Sequence, residues 1–184
     1  MQIKTKRLLL RPLRKNDNAS IVENVNNLNV SRWLLVVPYP YSKKSATEWI
    51  NDSKRKWRKK EKEDYVFGIE LSEKKIIIGG IGISHINFYH GKAKVGYWLG
   101  EKYWNNGYGS EALKAIIDFA FRRLKLNRLE ANVFVGNPSS GKLLEKFGFK
   151  QEGLERKSVR CKADGKIKDE YIYGLLKSDY KIRG

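Results

Sequence analysis

The stretch from Tyr97 to Ala112, Y-W-L-G-E-K-Y-W-N-N-G-Y-G-S-E-A, constrains the fold more than any other part of the chain. Tyr97, Trp98 and Leu99 end an apolar strand, a short polar turn follows, and Leu113, Ile116, Ile117, Ala120 and Leu124 then recur at helical spacing. The pattern predicts a strand, a glycine loop and a helix. Such a junction gathers the unpaired N–H groups of the helix's first turn where the helix dipole adds partial positive charge, so a phosphate fits there. Gly107 and Gly109 permit a close approach of backbone to ligand that a side chain would block. Two glycines one residue apart before a helix also suit an ordinary tight turn. A Walker loop does not fit, since it needs G-x-x-x-x-G-K-[ST], and a dinucleotide fingerprint needs a third glycine where Ala112 stands.

The rest of the chain alternates helical and strand periods. Residues 6–13 read as a strand with Leu8 and Leu10 on one side and Arg7, Leu9 and Arg11 on the other, stopped by Pro12. Asp17 can cap a helix whose face is Ile21, Val22, Val25 and Leu28, and Ser42 starts another with Ala46, Trp49, Ile50, Ser53 and Trp57 on a stripe. Residues 65–71, 75–85 and 92–99 form an antiparallel meander leading into the glycine loop. Beyond the loop helix come a strand over 129–135 and a short helix after Asn137-Pro138, stopped by Gly148. Two last strands, 149–159 and 170–176, are turned by Ala163-Asp164-Gly165, which suits a type I′ hairpin. Residues 32–41 carry Trp33, a run of aliphatic residues and two prolines, and read as a loop tucked onto the core or as a substrate-binding lid. The expected fold is a mixed α+β sheet with helices on both faces, a single domain over residues 1–184.

Charge narrows the partners. Thirty-eight Lys and Arg against twenty Asp and Glu give a net charge of +18, which favours RNA or a phosphate-rich ligand and argues against cationic substrates such as polyamines. The densest basic block, Lys54 to Lys62, interleaves Trp57 and reads either as a solvated helix face or as a contact with an anionic partner. No apolar run approaches the roughly 20 residues of a membrane span, and Met1-Gln2-Ile3-Lys4 lacks the apolar core of a signal peptide, so a cytoplasmic location is expected. Cys161 is the only cysteine, which excludes an intrachain disulfide and a Cys-based zinc site; its Arg160-Cys161-Lys162 setting predicts an incidental surface thiol.

Several spaced motifs carry a resemblance. The run Tyr103-Trp104-Asn105-Asn106-Gly107-Tyr108-Gly109-Ser110-Glu111-Ala112 resembles the pyrophosphate loop of the GNAT superfamily of acyl-CoA N-acetyltransferases, in the aromatic form of its RimJ/RimL ribosomal-protein branch. Asn137-Pro138-Ser139-Ser140 with Leu143-Leu144-Glu145-Lys146-Phe147-Gly148-Phe149 is similar to that branch's second signature, and the opening Thr5 to Leu13 and the tail Asp164-Gly165, Asp169, Tyr173, Leu175-Leu176 resemble it too. The resemblance implies a GNAT fold, a central, mostly antiparallel twisted sheet with helices on both faces. It also implies acetyl-CoA as donor, no metal, and a monomer or homodimer. The implied donor contacts are the strand end Tyr97, Trp98 and Leu99, the loop Asn105, Asn106, Gly107, Tyr108, Gly109 and Ser110, and Asn137 against the pantetheine arm.

Acetyl transfer from a thioester to an amine requires three things: holding the donor, taking a proton from the attacking ammonium, and returning one to the leaving thiolate. The strand at Tyr97 can pair with pantetheine as an extra strand would, if it splays from the 129–135 strand beyond Leu99. Many GNAT enzymes carry a tyrosine acid seven residues after the asparagine; here that position is Leu144, which leaves Ser140 as proton donor or as an ordinary helix cap. The carboxylate that relatives place after Gly153 is replaced by Lys157-Ser158-Val159, so His85 or water is left as base. Glu101 and Glu111 are expected to serve the loop and the helix's first turn. The leading expectation is transfer to an α-amino group of a ribosomal or other protein. The alternatives are a small-amine acetyltransferase, acting on an antibiotic or amino acid, and a non-catalytic RNA-binding module on the same fold.

Overall fold

The computed structural model describes residues 1–60 and 63–180. In chain order its elements are β1 (Ile3–Lys4), β2 (Leu8–Arg11), α1 (Asn18–Val25), α2 (Leu28–Ser31), α3 (Lys43–Arg58), β3 (Tyr65–Leu71), β4 (Ile76–Asn87) and β5 (Lys92–Leu99). There follow α4 (Tyr108–Asp118), β6 (Arg128–Phe134), α5 (Pro138–Lys146), β7 (Lys150–Arg160) and β8 (Ile167–Leu176). The strands form one eight-stranded sheet in the order β1-β2-β3-β4-β5-β6-β8-β7. Every neighbouring pair is antiparallel except β5 with β6.

Strand alternation builds two cores, one on each face of the sheet. Ile77 and Ile78 are neighbours in β4, yet Ile77 packs with Ile21, Val25, Ala46 and Ile50 from α1 and α3, and Ile78 packs beneath Leu113, Ile116 and Ile117 of α4. Each such fully buried aliphatic side chain contributes about 1.5–3 kcal/mol of burial free energy. The helices start where capping chemistry allows: the Ser42 hydroxyl accepts from the Ser45 amide at α3, and Asn27 accepts from the Asn29 amide at α2. Beyond α4, residues Phe119–Arg123 wind as a wider π-type turn before the chain enters β6.

The structure corrects several local expectations. Asp17 precedes α1 without a side-chain cap; its carboxylate instead receives both terminal nitrogens of Arg11 at 2.8 Å, and Arg11 Nε reaches Glu70 at 2.5 Å. Arg11, Asp17 and Glu70 are all buried, so the pairing satisfies charges that could not otherwise enter a core. The β7–β8 connection is a six-residue loop, 161–166, in which Gly165 has positive φ and Asp164 does not, whereas a type I′ turn needs it at both central residues. Cys161 is not a surface thiol but fully buried, its Sγ 3.6 Å from the Arg32 carbonyl and 3.7 Å from that of Leu34.

Residues 32–41 form an irregular segment pinned to the β7–β8 hairpin. The Lys162 amide donates to the Leu35 carbonyl at 3.1 Å, and Lys168 Nζ donates to the Arg32 carbonyl at 2.6 Å. The basic run at the end of α3 is less free than its composition suggests: Lys56 bridges Asp52 and Asp64, Arg55 pairs with Asp52, and Lys59 pairs with Glu63. Trp57 is not presented to solvent; its indole N–H donates to the Val66 carbonyl and its ring packs edge-on against Tyr65 and Phe67. The last two positions of that run, Glu61 and Lys62, lie outside the described residues.

Candidate active site

The parallel pairing of β5 with β6 holds only for Lys92, Ala93 and Lys94 against Arg128, Leu129 and Glu130. The strands then part, several residues earlier than the sequence suggests, and Val95 to Leu99 and Ala131 to Phe134 line opposite walls of a cleft of about 520 Å³. That volume falls within the usual range for small-molecule sites, about 300–1,000 Å³. Along the open wall the backbone of β5 has no strand partner on its β6 side, and an extended ligand can supply one.

At one end of the cleft lies the N-terminus of α4. Gly107 caps it at φ +78°, a left-handed conformation that admits glycine without strain, and Asn105 is left-handed too. The first helical amide bonded back to the loop is that of Glu111, to the Gly107 carbonyl, so the amides of Tyr108 to Ser110 are left to a ligand at a site where the helix dipole favours an anion. A Cβ on Gly109 would stand 3.2 Å from Leu143, so this position is kept small by the packing of α5. Lys146 Nζ donates to the Ser110 hydroxyl, and Arg7 donates to the Asn106 carbonyl, adding positive charge beside the loop. Glu111 holds Thr5 and Arg7 from the helix's first turn. Burial alone would raise its pKa, but those hydrogen bonds outweigh it and hold the carboxyl below its ordinary range. Glu101 accepts from Asn27 and Asn29 and fixes the turn before the loop.

Across the cleft, Asn137 caps α5 by accepting from the Ser140 amide at 3.3 Å. Ser140 is therefore not the cap, and its hydroxyl is free to lie 3.0 Å from the Tyr97 hydroxyl. Burial pushes the Tyr97 phenol up to about 12 despite the opposing effect of Ser140, so it stays protonated at neutral pH. Of the residues expected from sequence, Tyr97, Trp98, Leu99, Asn105, Gly107, Gly109, Ser110, Asn137 and Ser140 line the cleft. Asn106 and Tyr108 stand behind the loop, where Tyr108 packs between Arg7 and Tyr103. His85 is not brought to the cleft. It sits exposed in the bulge near the far end of β4, and its ring is 3.2 Å from Ser84, so its position gives it no contact with the reacting groups.

Strand alternation divides the cleft chemically. Ala131 and Val133 join the core under α4, so Asn132 and Phe134 face the other way, and Glu170, which pairs with Phe134 across β6 and β8, shares their face. Trp33 from the pinned segment closes this second face, with Arg32 and Lys168 over its ring at 4.9 and 5.5 Å. Sequence reading missed Glu170, Asn132 and Phe134, because a carboxylate on a strand reads as solvent-facing until the partner strands are known. No group of three or more His, Cys, Asp or Glu side chains among the described residues could hold a metal.

Comparison with known proteins agrees with this geometry. Residues 7–150 match the profile of the acetyltransferase (GNAT) domain. The chain is a GNAT acetyltransferase. The enzyme is 33% identical over 178 residues to the uncharacterized N-acetyltransferase p20 of Bacillus licheniformis, spanning 96% of both chains. It is 30% identical over 118 residues to the ribosomal protein uS5-alanine N-acetyltransferase of Escherichia coli K12, covering 63% of this chain and 59% of that one. RimJ of Mycobacterium smegmatis, solved with CoA-disulfide, superposes with a TM-score of 0.81 at 23% identity, over 93% of this chain and 82% of that one, and shares the fold. Acetyl-CoA is thus the donor of this enzyme, and the separated β5 and β6, the α4 amides and the neighbouring cations fit its pantetheine and phosphates. No helix among the described residues is long and apolar enough to cross a membrane.

Proposed function

We propose that the enzyme acetylates the α-amino group of a protein N-terminus, on a ribosomal or other protein in the cytoplasm, by direct transfer from acetyl-CoA. The observation that carries this reading is the charge at the acceptor side. Arg32 stands over Trp33, Lys168 beside it is paired with Asp164, and the single carboxylate Glu170 lines the same face, on a protein of net charge +18; this suits one ammonium on a chain bound to RNA better than the several cations of a polyamine. The name of the Escherichia coli relative, a ribosomal protein alanine acetyltransferase, supports the same class.

The residues perform the reaction as follows. The α4 amides bind the phosphates, and the open edge of β5 aligns the thioester arm as a further strand. The amine enters from the Trp33 and Phe134 face and attacks the acetyl carbonyl carbon, forming the C–N bond as the C–S bond breaks. Ser140, oriented by Tyr97, gives its proton to the leaving thiolate. Cys161 takes no part, being buried behind residues 32–34, which supports transfer without an acetyl-enzyme.

The test is to incubate the protein with acetyl-CoA and, separately, peptides with free N-termini, spermidine, amino acids and an aminoglycoside, following thiol release. Peptides are expected to give the highest kcat/KM, with the added 42 Da on the α-amino nitrogen by mass spectrometry, as the exchange of H for an acetyl group requires. A preference for a small amine would replace the acceptor class, and RNA binding with no thiol release from any amine would leave only the binding-module reading.

A further inference from the structure

Glu170 is a carboxylate with only 6% of its surface exposed that nevertheless lines the cleft. It has no salt bridge among the described residues. Its Oε2 receives two long hydrogen bonds, from Asn132 Nδ2 and from the Ser158 hydroxyl, each at 3.4 Å, and its Oε1 accepts none from the described residues. Asn132 is itself oriented, because its Oδ1 accepts from Lys94 Nζ at 3.2 Å and the amide nitrogen is thereby turned toward Glu170. A buried carboxylate with loose partners is costly to keep charged unless something cationic visits it.

We propose that Glu170 is the general base of this enzyme. It receives the proton of the acceptor ammonium on the face of the sheet opposite to the donor's acid, Ser140. The two groups lie on opposite faces of the sheet. Tyr97 packs with the core beneath α4, and its hydroxyl meets Ser140 on that side; Glu170 shares the face of Asn132 and Phe134. The ammonium arriving from the Glu170 face gives one proton to a carboxylate oxygen, its freed electron pair forms the C–N bond, and the C–S electron pair leaves on sulfur, which takes the Ser140 proton. The nitrogen sheds a second proton as it becomes an amide: of its two protons, one replaces through water the proton Ser140 gave to sulfur and the other leaves Glu170 for solvent, so the step balances with no further reactant.

The groups facing Glu170 agree with this role. Burial raises its pKa, Asn132 and Ser158 oppose that rise, Glu155 on the paired strand β7 adds to it, and Lys94 on β5 opposes it. The outcome is a carboxyl raised above its ordinary value, as a base matched to an amine requires. The proposal rests on acylation of an amine, which the family establishes, and not on which amine is taken.

The experiment compares wild type with Glu170→Gln, using whichever amine of the panel above is turned over, from pH 6 to 9. The variant should bind acetyl-CoA as the parent does by calorimetry, yet lose about 100-fold or more in kcat/KM at pH 7. The deficit should shrink as the pH approaches the pKa of the amine used, about 8 for an N-terminal amine, where that amine deprotonates without help. A structural role would give the same deficit at every pH, and that result, or a variant within threefold of wild type, overturns the proposal. Carbon-13 NMR of the wild-type Glu170 carboxyl gives a second reading that needs no variant. Titration above the ordinary carboxylate range supports the proposal, and titration at or below 4.5 overturns it.

Discussion

The hydroxyl of Tyr97 and the hydroxyl of Ser140 meet at 3.0 Å across the cleft, one from the splayed end of β5 and one from the first turn of α5. Because Asn137 caps α5, the Ser140 hydroxyl is left for chemistry. Ser140→Ala should lower kcat by 10-fold or more while acetyl-CoA affinity stays within threefold, the mark of a group needed in the transition state. Tyr97→Phe should lower kcat less, since it removes only the orienting partner. Calorimetry and steady-state rates on both variants check this, and an undiminished kcat in Ser140→Ala would return the serine to a packing role.

Gly107 holds φ +78° at the start of α4, with open space around it apart from the end of the Arg7 side chain. A β-branched residue cannot adopt that conformation without strain, so Gly107→Val must move the amides proposed to meet the phosphates. Acetyl-CoA affinity should fall 10-fold or more, about 1.4 kcal/mol or above. Titration calorimetry on the folded variant decides it, and unchanged affinity would remove the loop from the donor site.

Arg11 is buried between Asp17 and Glu70. Asp17→Asn leaves the guanidinium with one carboxylate instead of two and should destabilise the fold by about 3 kcal/mol, a value typical of a broken buried ion pair. Arg11 would stay charged, since its partners raise an already high pKa, Asp17 most of all. Urea unfolding monitored by tryptophan fluorescence measures the loss.

Glu111 gives a pH dependence of known sign. Its folded pKa lies below the ordinary carboxyl value of 4.5, so its bonds to Thr5 and Arg7 stabilise the protein above that pH and are lost as the pH falls through the folded value. Glu111→Gln should therefore be less stable than wild type at pH 7, with the gap closing at acid pH. Thermal melts between pH 3 and 7 follow this, and a gap that widens on acidification would contradict it.

The basic end of α3 is tested at the side chains that no acid holds among the described residues. Lys56 and Lys59 already pair with acids, which leaves Lys54, Arg58 and Lys60 to face an anionic partner. Changing those three to Gln should reduce the salt dependence of binding to ribosomal RNA and leave acetyl-CoA affinity and peptide turnover near wild type. An unaltered salt slope would mark this helix end as merely solvated.

Much of the donor site was legible because it is local. A glycine loop between a strand and a helix is written in consecutive residues, and Tyr97 to Ser110 needed only that chain segment to be placed. The proposed acceptor side was not legible, because Glu170, Asn132 and Trp33 come from three distant segments joined by pairing and by pinning. Nothing in Lys168-Asp169-Glu170 tells which carboxylate turns inward until β8 is laid against β6. The same limit misplaced Cys161 on the surface, since its burial depends on residues 32–34 folding over it. His85 looked suited to proton transfer by residue type alone, and its place in the β4 bulge takes it out of reach.

The parallel pairing between β5 and β6 spans three residue pairs, and these decide which way the cleft faces. In a pleated strand a shift of register by one residue exchanges the two faces. Were β6 to enter one position early or late, Val133 would take the place of Asn132 and Phe134, and the aromatic wall would turn inward beneath α4. The side proposed for the amine and the side proposed for the thioester are thus assigned at Lys92 to Lys94 and Arg128 to Glu130. The polarity of the reaction through the sheet is set by a count of residues in the turn at 119–127, well outside the chemistry it governs.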